Sequence, residues 1–190
     1  MSDPRAVLAF WFSPRARTLW FERDREFDAE IAARFAANVH AAQQGGFTDW
    51  RETPEGALAL LILLDQMARN IYRGEAKAFL GDARALGEAG AALARGHDRA
   101  TSFDRRHFFF LPFEHSEAMA DQDRAIDLFT RHFQEAPPEQ KHFAEIQLDY
   151  AHRHREVIRR FGRFPGRNAA LGRPSSEDEI AFLADPKSVF

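Results

Sequence analysis

Thr53-Pro54-Glu55-Gly56-Ala57-Leu58-Ala59-Leu60-Leu61-Ile62-Leu63-Leu64 is the stretch whose reading decides the fold. Thr53, Pro54 and Glu55 have the chemistry of an N-cap, a first-position proline and a first-turn acid. The helix they open has no polar face from Ala57 to Leu64, so it is expected to be buried on every side. The apolar run is far too short to span a bilayer. A helix enclosed all round needs neighbours on each flank, and the surrounding sequence supplies helices rather than strands.

Upstream, Val7, Leu8, Trp11 and Phe12 form a short apolar face after Pro4. Phe27, Ile31 and Phe35 then make a stripe at helical spacing that ends at Gly45-Gly46. Downstream, Gly74 is the expected stop. An Ala-rich helix follows from about Glu75 to Arg95, and close backbone packing would offset the low propensity of Gly81, Gly87 and Gly90. Ser102 to Leu111 reads as a short aromatic helix, and Pro112 opens another that reaches about Gln134. After the break at Pro137-Pro138 a long helix runs to Phe161, with an apolar seam at Phe143, Ile146, Tyr150, Val157 and Phe161. A short helical segment follows Pro165. Ser176 and Glu179 make a capping box for a last helix, and the tail after Leu183 is expected to be loose. The reading is a single all-α domain over residues 1–190, built of stacked antiparallel helices. No strict repeat is visible.

Bulk composition narrows the function classes. Hydrophobic residues make up 45% and charged residues 29%, ordinary for a soluble globular chain, while aromatics reach 13%, nearly all Phe. Those large side chains must be buried or form an interaction surface. The formal net charge of −3 argues against a nucleic-acid partner. The absence of cysteine removes disulfides, thiolate metal sites and a cysteine nucleophile. Met1-Ser2-Asp3-Pro4 lacks the start of a signal peptide, so a cytoplasmic location and no membrane partner are expected. No His-Glu-x-x-His pattern occurs, and neither a metal nor a cofactor is expected.

Four constellations place polar groups where apolar ones belong. Asp65 and Arg69 are i,i+4 with the acid first, and Gln66 with Asn70 repeats the spacing, so with Arg73 they form one polar strip. Glu114, His115 and Glu117 follow Pro112, and His115 shares a face with Met119, Gln122 and Ile126, at steps of four, three and four. An inward imidazole beside a carboxylate could act as acid or base. His154 lies on the seam of the long helix. Finally, Phe161-Gly162-Arg163-Phe164-Pro165-Gly166-Arg167-Asn168-Ala169-Ala170-Leu171-Gly172-Arg173 has Gly162 as a left-handed helix stop, Phe164 folding back, and arginines held close to the core. A fixed guanidinium there needs a carboxylate, a phosphate or a ligand anion to face.

Together these segments resemble a bacterial family known as domain of unknown function 924. The pieces that carry the resemblance are Val7 to Phe12, Trp20-Phe21, Asp24, Phe27, Asp28, Thr53-Pro54, Leu63-Leu64-Asp65-Gln66 with Arg69-Asn70, and Pro112 with His115-Ser116-Glu117. Asp121-Gln122, Phe161 to Pro165, Arg167-Asn168 and Leu171-Gly172-Arg173 complete the set. The resemblance implies an all-helical fold similar to tetratricopeptide-repeat domains, a right-handed helical array, and little about activity. That family often has His where this chain has Gly166, which weakens any side-chain role at that position.

Three functions fit this reading. The first is a binding module whose Asp65, Gln66, Arg69, Asn70, Glu114, His154, Arg163, Arg167 and Asn168 line a polar pocket for a small anionic molecule or a peptide carboxylate. The second is an enzyme acting on a small anionic substrate through His115 and Glu117. The third is a protein-interaction scaffold in which the polar residues are internal latches. The oligomeric state does not follow from the sequence.

Overall fold

Every regular element among the described residues of the computed structural model, 3–185, is helical. Met1-Ser2 and the part of the expected loose tail beyond Asp185 lie outside those residues. The elements are α1 (Pro4–Trp11), α2 (Pro14–Arg17), α3 (Arg25–Gln43), a 3-10 turn (Thr48–Glu52), α4 (Pro54–Leu61), a π turn (Ile62–Met67) and α5 (Ala68–Ile71). A 3-10 turn (Ala76–Phe79) then leads to α6 (Asp82–Ala94), α7 (His97–Ala100), α8 (Phe103–Arg106), a further 3-10 turn (His107–Phe109) and α9 (Leu111–Glu114). Then come α10 (Met119–Glu135), a 3-10 turn (Pro138–Gln140), α11 (Lys141–Phe161), a 3-10 turn (Pro165–Arg167) and α12 (Glu177–Ala184). No helix among the described residues is long and apolar enough to cross a membrane. The chain divides into two compact units, residues up to Arg73 with Lys77–Pro112, and Gly74–Ala76 with Phe113 onward.

In the first unit the stretch from Thr53 behaves as its sequence dictates. The Thr53 hydroxyl accepts the Gly56 N–H at 3.1 Å, and Ala57 to Leu64 are all buried. α4 then widens into the π turn, which carries Asp65 and Gln66 into the interior along with its apolar residues. Such a turn adds one residue to the helical loop and is found often at functional positions. α4 packs against α1, and the π turn packs against α3. Beside them Trp11 stacks on Trp20 and Phe27, and Phe108 meets both tryptophans edge-on; the Trp20 indole N–H donates to the Trp11 carbonyl at 2.8 Å.

The Ala-rich helix begins later than its composition suggests, at Asp82, with Gly81 as its N-cap. A Cβ on Gly81 would stand 2.7 Å from the Leu64 carbonyl oxygen, so this glycine lets the helix start press onto the π turn. It is a packing glycine at a helix start, not an interior one.

In the second unit α10 and α11 form a helical hairpin across Pro137-Pro138. Two sequence expectations change here. The helix opened by Pro112 does not run on to Gln134. It stops at Glu114, and a new helix starts at Met119. The Ser116 hydroxyl accepts the Ala118 N–H and donates to Asp121. The buried Gln122 amide donates to the carbonyls of Glu114 at 2.6 Å and Ser116 at 2.7 Å. Side-chain groups thus satisfy the backbone at the break, and His115 leaves the shared face with Met119, Gln122 and Ile126. The second change concerns α11. Its buried row is Ala144, Gln147, Ala151, His154, Val157 and Ile158, while Phe143, Ile146 and Tyr150 are exposed at 38%, 39% and 41%. Small and polar residues face α10 in the N-terminal half of this helix, and the large apolar ones point outward.

Candidate functional site

The polar residues singled out by the sequence fall into two sets, one in each unit. In the first unit Arg69 stands 3.1 Å from Asp65 Oδ1, the i,i+4 pair read from spacing, and donates to the Asp65 carbonyl at 2.7 Å. It also makes a bidentate pair with Asp82 at 3.1 and 3.0 Å. Burial pushes the Arg69 guanidinium down, but Asp65 and Asp82 outweigh it and hold its pKa above the ordinary value. No helical spacing links positions 69 and 82, so this partner had no signal in the sequence. Gln66 donates to Asp65. Asn70 donates to Asp28 at 2.7 Å, and Arg73 makes two contacts of 2.9 Å with the same carboxylate. The strip therefore ties α3, the π turn, α5 and α6 to one another.

In the second unit Gly162 ends α11 with φ of 69° and donates its N–H to Ile158. The chain turns back, and Phe164 packs on Val157 and Ile158. That return brings the arginines to carboxylates. Arg163 is bidentate to Glu179 at 2.7 and 2.8 Å and also donates to the Pro174 carbonyl. Arg173 is bidentate to Glu117 at 2.8 and 3.0 Å, and donates to the carbonyl of Phe164 and to Asn168. Glu117 further accepts the Phe164 N–H at 2.8 Å. Asn168, fully enclosed, donates to Ser175 and Glu179. Arg167 donates to the His115 carbonyl at 2.8 Å and lies over the Phe164 ring.

His154 is an imidazole that the fold brings against a buried carboxylate. His154 Nδ1 lies 2.9 Å from Glu114 Oε1 and 2.9 Å from the Tyr150 carbonyl. Both side chains are nearly enclosed, and the His115 ring sits 6.0 Å from the His154 ring. Glu117, paired by sequence reasoning with His115, faces Arg173 instead. Arg173 and Glu179 are partners in these contacts that the sequence reading left out of its candidate site. Glu179 was legible only as half of a capping box, a role it also fills by accepting the Ser176 N–H at 2.7 Å.

The arginine–carboxylate clasp formed by Arg163 with Glu179 and Arg173 with Glu117 has an acid signature. The Arg163 hydrogen bonds, the Ser176 N–H and Asn168 favour the Glu179 carboxylate more than burial opposes it, and lower its pKa from 4.5 to about 2. Burial pushes Glu117 up, but Arg173, the Phe164 N–H and Arg167 outweigh it and leave its pKa lowered. A depressed folded-state pKa means the unfolded chain takes up protons first as pH falls. The contribution of Glu179 is therefore complete above its ordinary value of 4.5 and is lost between there and about pH 2. Thermal unfolding at stepped pH checks this. The wild type is expected to exceed Glu179→Gln at neutral pH, with the gap closing through that window. A gap that stays constant down to pH 2 would contradict the assignment.

These features define an all-helical protein whose long helix is closed by an arginine–carboxylate clasp. The chain belongs to the family described as bacterial protein of unknown function (DUF924), whose family model matches residues 7–187. It is similar to a solved structure of a protein of unknown function, ATU0120 from Agrobacterium tumefaciens, with 37% identity and a TM-score of 0.83. That match covers 95% of this chain and 96% of the other. No curated protein matches the chain.

Proposed function

We propose that the protein is a binding scaffold that takes a partner helix along α11, with the polar residues of both units acting as internal latches. The observation that carries this reading is the exposure of Phe143, Ile146 and Tyr150 on one face of α11 at steps of three and four. Large apolar side chains in such a row suit an amphipathic helix with matching anchors. Exposed Glu145 and Asp149 run beside Phe143 and Ile146, while Glu156 is held by Arg159 and Arg153 lies over the Tyr150 ring, so the partner helix carries Lys or Arg beside the Phe143–Ile146 end of the row. Fold-level analogy with tetratricopeptide-type arrays points the same way.

The latch reading is favoured over an anion pocket because Arg69, Arg163 and Arg173 already face carboxylates in bidentate geometry. It is favoured over acid–base catalysis because the Glu114–His154 pair is closed onto the Tyr150 carbonyl.

Selection of a displayed library of amphipathic helices tests the proposal. Enriched sequences are expected to share an apolar i,i+3,i+7 row flanked by basic residues, and to lose at least tenfold in affinity for Ile146→Glu with its melting temperature unchanged. Binders that ignore Ile146→Glu and Tyr150→Glu, or enrichment without that pattern, would sink it.

A further inference from the structure

The clasp arginines Arg163 and Arg173 are each bidentate to a carboxylate, but a second pair of arginines in the first unit is not. Arg15 on α2 and Arg34 on α3 converge on one carboxylate, Glu30. Arg15 Nη1 pairs with Oε2, and Arg34 Nη1 lies 3.2 Å from Oε1. Each guanidinium has five N–H donors, and each meets Glu30 through a single nitrogen. Both side chains remain more than half exposed, at 57% and 53%. Two cations share one anion, which leaves one positive charge uncompensated within this cluster.

A groove of about 310 Å³ opens beside them, lined by Ala6, Ala9, Phe10, Ser13, Ala16 and Phe27 along with these three charged residues. That volume sits at the lower end of the roughly 300–1,000 Å³ typical of small-molecule sites. The space exists because Ala6, Ala9 and Ala16 end at Cβ. Its floor is apolar, with Phe10, Ala16 and Phe27 themselves buried. The Arg34 guanidinium lies 4.6 Å over the Phe10 ring, which favours a place for the cation at the groove mouth.

An apolar trough ending at a surplus positive charge matches one ligand chemistry. We infer that this groove binds a small monocarboxylate with an apolar body, such as a medium-chain aliphatic or an aryl-alkyl acid. The carboxylate bridges the outward N–H groups of Arg15 and Arg34, which favour planar anions. The hydrocarbon lies over Phe10 and Phe27 between α1 and α3. This site is independent of the α11 face.

Calorimetric titration of the full chain tests the inference with octanoate, 1-octanol, acetate and an apolar tripeptide with a free carboxylate. Octanoate is expected to bind, and 1-octanol and acetate each at least tenfold more weakly. Arg34→Gln removes the charge. Ala9→Leu, at an exposed position on α1, fills the groove without touching the ion pairs. Each is expected to weaken octanoate at least tenfold. If Arg34→Gln does not fold, Ala9→Leu alone decides. No octanoate binding, equal binding of octanol or acetate, or an undiminished Ala9→Leu variant would overturn the assignment. Tighter binding of the tripeptide would overturn it in favour of peptide C-termini.

Discussion

Replacing Gly56 by Ala is expected to destabilise the first unit by about 3 kcal/mol or more, at the upper end for overpacking in a rigid site. A Cβ at this position would stand 2.2 Å from the Trp50 carbonyl oxygen and 2.9 Å from both the Trp50 carbonyl carbon and the Thr53 hydroxyl. These are mostly backbone atoms, so no rotamer change relieves the clash. The 3-10 turn at Thr48–Glu52 must move away from α4, and the Thr53 cap is strained with it. In a chain of this length each kcal/mol shifts the melting temperature by roughly 2–4 °C. The control is Gly87→Ala on the exposed face of α6, where an added Cβ meets nothing within 4 Å. That change is expected to stabilise by roughly 0.5–1 kcal/mol through helix propensity. All three tryptophans, Trp11, Trp20 and Trp50, belong to the first unit. Urea unfolding followed by tryptophan fluorescence therefore reads this unit directly. Equal midpoints for the two variants would refute the packing argument.

The second large effect is expected at Arg69. Arg69→Met keeps the bulk of the side chain but removes the charge that faces Asp65 and Asp82, at a cost of about 3 kcal/mol, the lower end for breaking a buried pair from one side. Asp65 is only 2% exposed, so water offers it little in place of the guanidinium. The donation from Arg69 to the Asp65 carbonyl goes too, which loosens the π turn where it meets the close approach of Gly81. Arg69→Lys retains a charge but cannot hold Asp82 with two parallel bonds while reaching the Asp65 carbonyl. It is expected to lose roughly half as much. Asp82→Asn leaves the contact with Asp65 intact and is expected to be the mildest of the three. The same fluorescence titration ranks them. Arg69→Met no worse than Asp82→Asn would show that Asp65 does not depend on Arg69.

Both predictions rest on contacts that sequence patterns reach only in part. Thr53-Pro54-Glu55 and the Ser176–Glu179 box were legible because helix capping is local chemistry. So was Gly162, because a left-handed residue is what ends a helix abruptly. The Asp65–Arg69 pair was legible because helical periodicity places i and i+4 side by side. The break after Glu114 was not, because it is stabilised from outside by the Gln122 amide, whose role depends on where α10 packs. The seam of α11 misled for a similar reason. Hydrophobicity marks a face that prefers burial, but Ala144, Gln147 and Ala151 allow the close approach to α10, and the large residues Phe143, Ile146 and Tyr150 were left outside.

The sequence by itself determined that this is an all-α protein, where its helices are capped and stopped, and that arginines gather behind Phe161 in need of anionic partners. Those properties follow from interactions within a few residues along the chain. Only the tertiary structure decided which anions those arginines meet: Glu179 for Arg163, Glu117 for Arg173 and Asp82 for Arg69. A guanidinium accepts any well-placed carboxylate, and placement across 13 to 56 residues of chain is set by packing. The same packing turned Arg163 and Arg173 onto internal carboxylates and left Arg15 and Arg34 with a single carboxylate between them.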